Sequence, residues 1–274
     1  MKARMKNHII RPFLALAVIA GLDLIPPGRA TAQTYTTLHS FAAEGETVVD
    51  EEPFYVNSDG ANPSGGLISS GGTLYGTAKF AGPLGSGTLF AVNTDGTGFT
   101  NLHVFGQRHN FGGYVPDTNP DGMYPISLIL SDHNLHGTAH CGGSSGYGTV
   151  FAVNTNGTGF TTLHAFTGGS EGAGPSAGLI LLGNTLYGTA SSAGSFGSGT
   201  VFSLSFPLPQ LTITLSGTDV ILSWPTNIAG FDYSGYMLQS APASTGPFTN
   251  LPGATNPCIK PITGVPEYFR LILY

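Results

Sequence analysis

From residue 66 to residue 105, apolar residues come in short runs, and Leu, Phe and Val take alternate positions within the later ones. A period of two with polar residues between is the pattern of a half-buried strand. Four strands are predicted: A over Gly66–Ile68, B over Thr73–Ala78, C over Gly87–Val92 and D over Phe99–Phe105. Gly71-Gly72 separates A from B, and Asp95-Gly96 separates C from D. Asp-Gly is a preferred dipeptide of tight hairpin turns, so the four strands read as an up-and-down meander.

The same meander recurs. LYGTA at Leu74–Ala78 returns as LHGTA at Leu135–Ala139 and as LYGTA at Leu186–Ala190. GTLFAVNTDGTGF at Gly87–Phe99 returns as GTVFAVNTNGTGF at Gly148–Phe160 and as GTVFSLSF at Gly199–Phe206. Leu74 to Phe90, Leu135 to Phe151 and Leu186 to Phe202 are each 16 residues. Length varies in one place: Phe41 to Pro63 is 22 residues, Phe105 to Pro125 is 20 and Phe166 to Pro175 is 9. A rigid unit with one variable loop is expected of a repeat architecture. The region opens with a lone D-like strand, Tyr35–Phe41, and its third unit ends without a D strand.

The pattern P-x-x-G-L-I, L-Y-G-T-A, G-x-G-T-V-F, L-H-x-F resembles the GloVer tandem repeat of secreted bacterial proteins, over Tyr35 to about Phe206. Unit two departs from it with His136 in place of the Tyr, and with Ser127 where the other units have Gly66 and Gly178. The resemblance implies a propeller-like fold and supplies no enzymatic role. The expected fold class is all-β: a propeller-like array of three four-stranded meander blades plus a small C-terminal β-sandwich. Strand Tyr35–Phe41 should complete the third blade by pairing with Gly199–Phe206, which would remove two open sheet edges. Three blades fall below the usual four to eight. An open or small ring, or assembly of two chains, is therefore expected, with a threefold trefoil or prism as the alternative.

After Pro207-Leu208-Pro209 come five strand-like runs: LTITL, DVILSWP, YMLQSA, FTNL and EYFRLIL. Trp224, the only tryptophan, is placed to anchor their core. These runs resemble a small fibronectin-type-III-like module. The expected organisation is an export signal over 1–32, repeats over 33–206, a linker over 207–210 and the module over 211–274.

Composition narrows the class. Of 274 residues 41 are Gly and only 9 % are charged, which argues against a helix-rich protein. Lys2, Arg4, Lys6 and Arg11 precede a ten-residue apolar run, Phe13–Leu22, and Ala30-Thr31-Ala32 follows Pro26-Pro27. This is the layout of an export signal cut before Gln33, because a span would need about 20 apolar residues. Five of the nine basic residues and one of the fifteen acids lie in 1–32, so the remaining chain carries −10. Nucleic acid and anionic membrane surfaces are thereby disfavoured as partners. A secreted, periplasmic or extracellular location is expected, with no membrane span after cleavage. Cys141 and Cys258 are expected as unpaired thiols, since two cysteines in different regions make no disulfide framework.

In a meander, the B–C and D–A loops share one side. The D–A loops vary in length and carry Phe54, Tyr55, Arg108, Tyr114, Asp117 and Tyr124, which we take as the candidate ligand-binding residues. The acids between Glu44 and Asp59 could hold Ca²⁺, but their spacing fits no EF-hand, and a solvated acidic loop is the plainer reading. His133, His136, His140 and Cys141 look like zinc ligands, yet strand geometry separates His136 from His140 by about 13 Å. No metal site, cofactor or catalytic residue is assigned. His39, His103 and His164 recur with the repeat, which favours packing or hydrogen bonding. No G-x-S-x-G, H-E-x-x-H or phosphate-cradling loop is present.

Two functional classes follow. One is an exported, non-catalytic binding or structural module, with a neutral carbohydrate or surface partner and self-association as possible interactions. The other is an extracellular propeller enzyme acting on glycans, with Glu51 and Asp121 as acid and base, which requires the two carboxyls within about 5–9.5 Å.

Overall fold

A computed structural model describes residues 34–49, 52–107, 117–228, 231–233 and 235–273. The expected signal over 1–32 lies outside the described residues. Contacts divide the chain into Met1–Thr36 and Thr37–Tyr274, and every element below belongs to the second unit. It opens with a hairpin of β1 (Gly45–Val49) and β2 (Glu52–Val56).

The three repeats form antiparallel sheets in chain order. The first is β3 (Ile68–Ser70), β4 (Thr73–Ala78), β5 (Thr88–Asn93) and β6 (Thr100–Val104). The second is β7 (Asn119–Ser131), β8 (Asn134–Gly143), β9 (Thr149–Asn154) and β10 (Thr161–Ala165). In the third, β13 (Thr185–Ser192) pairs with β11 (Ala173–Pro175), β12 (Ile180–Leu182) and β14 (Thr200–Ser205).

Register is identical across the repeats: Gly76 faces Phe90, Gly137 faces Phe151 and Gly188 faces Phe202. The glycine is needed there. A Cβ at any of the three would stand 2.5 Å from the Phe ring tip, so the bare backbone makes room for the ring. Asp95 and Asn156 hold the C–D turns by accepting from the backbone N–H and the hydroxyl of Thr97 and Thr158, at 2.7–3.0 Å. Those bonds lower the pKa of Asp95.

The core lies between successive sheets. Tyr75, Leu89 and Ala91 of the first sheet pack with Leu128, Leu135, Phe151 and Val153 of the second. Val150 and Phe166 then pack with Leu179, Leu186 and Ala190 of the third. Each interface buries one apolar face of each sheet, the main favourable contribution in a stacked array.

The propeller expectation fails. Among the described residues the sheets remain separate, and none closes into a barrel or propeller. Residues 34–44 form no strand, and β14 is hydrogen-bonded to β13 alone. The orphan segment is instead held by the first repeat. Phe41 packs 5.4 Å from Phe90, and His39 stacks 3.6 Å from Phe99. Its placement copies the next junction: a Cβ on Gly96 would lie 2.9 Å from the Leu38 carbonyl oxygen, and one on Gly157 2.9 Å from that of Leu102. Leu38–Phe41 therefore sits on the first repeat as a preceding D strand would, and among the described residues it is not paired with the third.

The remaining chain forms two three-stranded sheets and a short hairpin. One sheet joins β15 (Thr212–Ser216) and β16 (Asp219–Ser223) to β21 (Cys258–Pro261). The hairpin is β17 (Asn227–Ile228) with β18 (Phe231–Asp232). The other sheet is β20 (Thr249–Asn250), β19 (Tyr236–Ala241) and β22 (Tyr268–Leu273). Leu222, Trp224 and Leu238 form the core these sheets share, as the lone Trp suggested. Tyr233 is fully buried against the third repeat, and its hydroxyl donates to the Pro207 carbonyl at 2.5 Å.

Candidate functional site

The polar groups that recur most regularly are carboxylates at the entrance of each repeat. Asp59 and Gly60, Asp121 and Gly122, and Glu171 and Gly172 each stand four and three residues before Pro63, Pro125 and Pro175. Each carboxylate meets the histidine of the preceding D segment. His39 Nε2 lies 2.8 Å from Asp59 Oδ2, His103 Nε2 2.9 Å from Asp121 Oδ2, and His164 Nε2 3.2 Å from Glu171 Oε2. Each also accepts a backbone N–H, from Ala42 at 3.0 Å, Gly106 at 3.0 Å and Thr167 at 2.6 Å.

The backbone carbonyls of these acids are tied as well. They accept the hydroxyls of Thr88, Thr149 and Thr200 at 2.8, 3.1 and 2.8 Å. The following glycines have φ near 100°, and a Cβ on Gly122 would stand 2.4 Å from Thr149 Oγ1. Asn57 and Asn119 complete two of the three sites by donating to Gly60 and Gly122 carbonyls at 2.8 Å. The set clamps the end of one repeat to the start of the next. A hydrogen bond from the Thr167 hydroxyl, first among several causes, holds the Glu171 carboxyl below its usual range.

The motif was open to sequence reading as acid-Gly-x-x-Pro beside the noted L-H-x-F. Counting the variable loop only from Phe to Pro hid it. The consequence for the enzyme reading is direct: Asp121, offered there as an acid or base, is bound to His103 and Gly106. Glu51 lies outside the described residues. Asp59, from the acidic run considered for Ca²⁺, is bound to His39 and Ala42.

The six candidate ligand residues are only partly brought together. Arg108 and Tyr114 lie outside the described residues. Phe54 and Tyr55 are on β2, opposite Thr47 and Glu46, and Tyr55 is exposed. Tyr124 sits in a left-handed backbone conformation, φ 61°, its N–H donating to Ser86 at 2.9 Å and its ring edge-on to Phe80 at 5.2 Å. Lys79 lies over the same Phe80 ring at 5.1 Å. Phe80 is thus a member of this face that the sequence reading passed over. Asn57, two residues after Tyr55, accepts from Gly82 N at 2.9 Å and fixes the hairpin to the Phe80 loop. Asp117 is half-buried and acts electrostatically on Cys141, whose thiol is pushed up chiefly by burial.

The histidine-rich stretch of β8 does not converge. His136 is fully buried at the junction with unit three, and desolvation pushes its pKa down to about 4. His140 faces the Pro175 carbonyl at 3.3 Å. Among the described residues no three His, Cys, Asp or Glu side chains are grouped to hold a metal. Cys141 and Cys258 are free thiols.

The junction chemistry differs in unit three. Phe99 and Phe160 stack on His39 and His103, each at 3.6 Å. The third repeat has no D strand and so no such ring. A cavity of about 140 Å³ lies there, lined by Val150, His164, Phe166, Glu171, Phe202 and Leu204.

Tandem antiparallel sheets joined by repeated His–carboxylate clamps define an all-β repeat protein. The chain belongs to the Gloeobacter/Verrucomicrobia repeat family, whose pattern matches residues 29–221. No curated protein matches it. Among solved structures, a chain of a nidogen/laminin complex is 16 % identical over 63 % of this chain and 60 % of its own, with a TM-score of 0.35. The computationally designed Ika4 protein is 15 % identical over 62 % of this chain and 89 % of its own, with a TM-score of 0.31. The Bacteroides ovatus xyloglucan PUL GH43B is 14 % identical over 73 % of this chain and 42 % of its own, with a TM-score of 0.29. At TM-scores this low neither fold nor function is transferred.

Proposed function

We propose that the protein is an exported, non-catalytic repeat module that binds or organises material outside the cytoplasm, with neutral carbohydrate as its ligand class. The observation that carries the non-catalytic part is the engagement of the recurring acids. Asp59, Asp121 and Glu171 each hold a histidine and a backbone N–H, the work of a scaffold. No helix among the described residues is long and apolar enough to cross a membrane. Export rests on the basic, apolar and Ala-Thr-Ala order of residues 1–32.

Binding is assigned to the side of the D–A and B–C loops, around Phe54, Tyr55, Arg108, Tyr114, Asp117 and Tyr124, with Phe80 added. Exposed Tyr55 and Phe80 offer apolar ring faces, and Asp117 and Arg108 supply polar groups for hydroxyls. A glycan array comparing wild type with the Tyr55→Ala, Phe80→Ala double variant tests this. Loss of a neutral-glycan signal supports the assignment. Unchanged binding moves the site elsewhere, absence of binding leaves a structural role, and release of reducing ends from any bound glycan overturns the non-catalytic reading.

A further inference from the structure

The two ends of the repeat array carry complementary halves of the junction that the interior uses twice. Val201 of β14 is 81 % exposed, whereas its repeat counterparts Leu89 and Val150 are 0 % exposed. Tyr187 is 36 % exposed, against 7 % for Tyr75 and 0 % for His136. Ile180 is 66 % exposed, while Ile68 and Ile129 pack against the next repeat's core. Unit three therefore shows solvent the face that units one and two each bury against a following repeat. At the other end Leu67 is 56 % exposed, where Leu128 and Leu179 are 7 % and 3 % exposed against a preceding repeat.

The edges match as the faces do. Unit three lacks the strand F-T-x-L-H-x-F that units one and two have at Phe99–Phe105 and Phe160–Phe166. The chain carries one spare version, Tyr35-Thr-Thr-Leu-His-Ser-Phe41. Its C-terminal part already rests on unit one as Leu102–Phe105 rests on unit two, through His39 on Phe99 and Asp59. While so placed, β6 also pairs with β5, so the spare strand can stay seated and still offer its free edge. Tyr35 occupies the position of Phe99 and Phe160 and is 91 % exposed. The cavity beside His164 is where the ring of that missing strand belongs.

The geometry points to head-to-tail association of two copies of this chain, in which Tyr35–Phe41 of one adds as the fourth strand to β14 of the other. The donated Tyr35 ring fills the cavity over His164, and the Val201 and Ile180 face covers the Leu67 face. The ring contact repeats Phe99 on His39 and Phe160 on His103, and the face contact repeats the packing between units one and two and between units two and three. Strand addition to an open edge supplies main-chain hydrogen bonds, and the pocket supplies register. Such an interface is heterologous and either closes on itself or runs on into longer assemblies.

Sedimentation of the chain over a range of concentrations should show a mass that rises to a dimer or beyond. Tyr35→Ala should weaken association about tenfold, the effect of an aromatic anchor leaving a buried pocket. Val201→Asp, at an exposed position, should abolish it with the melting temperature of the isolated chain unchanged. Register gives a sharper check. Thr100 faces Ala91 and Thr161 faces Ala152, so Thr36 of one copy must face Ser203 of the other. Oxidising a mixture of a Thr36→Cys chain and a Ser203→Cys chain should give a cross-linked pair, with little product from either alone. A monomer at every concentration would overturn the inference. So would cross-linking at monomer mass in a chain carrying both cysteines, with none in the mixture, because that places the strand in its own third unit.

Discussion

Replacing the strand-B glycine by alanine in each repeat separates a packing requirement from a sequence habit. All three positions have ordinary strand backbone, so alanine's cost is steric, set against a gain of about 0.4–1 kcal/mol from a less flexible unfolded chain. At Gly137 the new methyl meets the Phe151 ring at 2.5 Å, the Ser127 carbonyl oxygen at 2.7 Å and Leu128 Cδ2 at 2.9 Å. Phe151 and Leu128 are buried and the carbonyl belongs to a paired strand, so none can yield. At Gly76 the neighbours are Phe90, which is buried, and Leu67, which in the unassociated chain is exposed and free to swing away, so only part of the clash is relieved. At Gly188 they are Leu179, which is buried, and Phe202, which in the unassociated chain borders the cavity into which its ring can tilt, so again only part of the clash is relieved. Overpacking costs about 1–3 kcal/mol where neighbours cannot move. Gly137→Ala should therefore destabilise by about 2–3 kcal/mol, or roughly 4–12 °C in melting temperature at this size. Gly76→Ala and Gly188→Ala, each with one neighbour that can move and one that cannot, should cost less, about 1–2 kcal/mol each. Thermal melts followed by near-ultraviolet dichroism would measure the three. Equal losses, or a neutral Gly137→Ala, would refute the idea that relief by an exposed side chain or a cavity sets the order.

Other outcomes follow from the clamps and the buried histidine. His136 has a folded pKa of about 4 against an ordinary 6.5, so its neutral form supports folding fully above 6.5 and that support is lost as pH falls toward 4. His136→Tyr, which restores the residue of units one and three, should flatten stability between those pH values in urea titrations. The Glu171 carboxyl is held low, so its contribution is present above the usual carboxylate range and disappears as pH drops through the folded value; Thr167→Val should shift that loss to higher pH. His103→Ala and Asp121→Asn should each cost about 1–3 kcal/mol, and a double-mutant cycle should show coupling between them, since they share one hydrogen bond. Independent effects would argue that His103 acts only by stacking on Phe160.

Much of the fold was legible because the repeat fixes it locally. Strands B and C, their turns and their register follow from L-Y-G-T-A, G-T-V-F and the Asp-Gly and Asn-Gly dipeptides, each read within a few residues. What failed was long-range. By its periodicity Tyr35–Phe41 is a strand wanting an edge, and the nearest vacancy in the repeat count is β14. In the structure, side-chain contacts decide: His39 and Phe41 find Phe99, Phe90 and Asp59 within the adjoining unit. An L-H-x-F segment thus carries two attachments, a backbone edge toward its own unit and an aromatic face toward the next. Only the edge is visible as strand periodicity.

That double attachment also explains why the clamp was missed. The recurrence of His39, His103 and His164 with the repeat points to packing or hydrogen bonding, as their stacking and acid contacts bear out, but names no partner. Each partner lies in the following unit, 20, 18 and 7 residues along the chain, across the segment whose length varies. The acid's spacing is constant only when measured back from Pro63, Pro125 and Pro175. A loop can vary freely because the clamp closes it at both ends: the histidine fixes where the chain leaves one sheet, and the acid-glycine pair fixes where it enters the next. The variable loops are therefore the part of each repeat that can change without loosening the stack, which is why the proposed ligand face is sought there and the clamping acids are assigned to the scaffold.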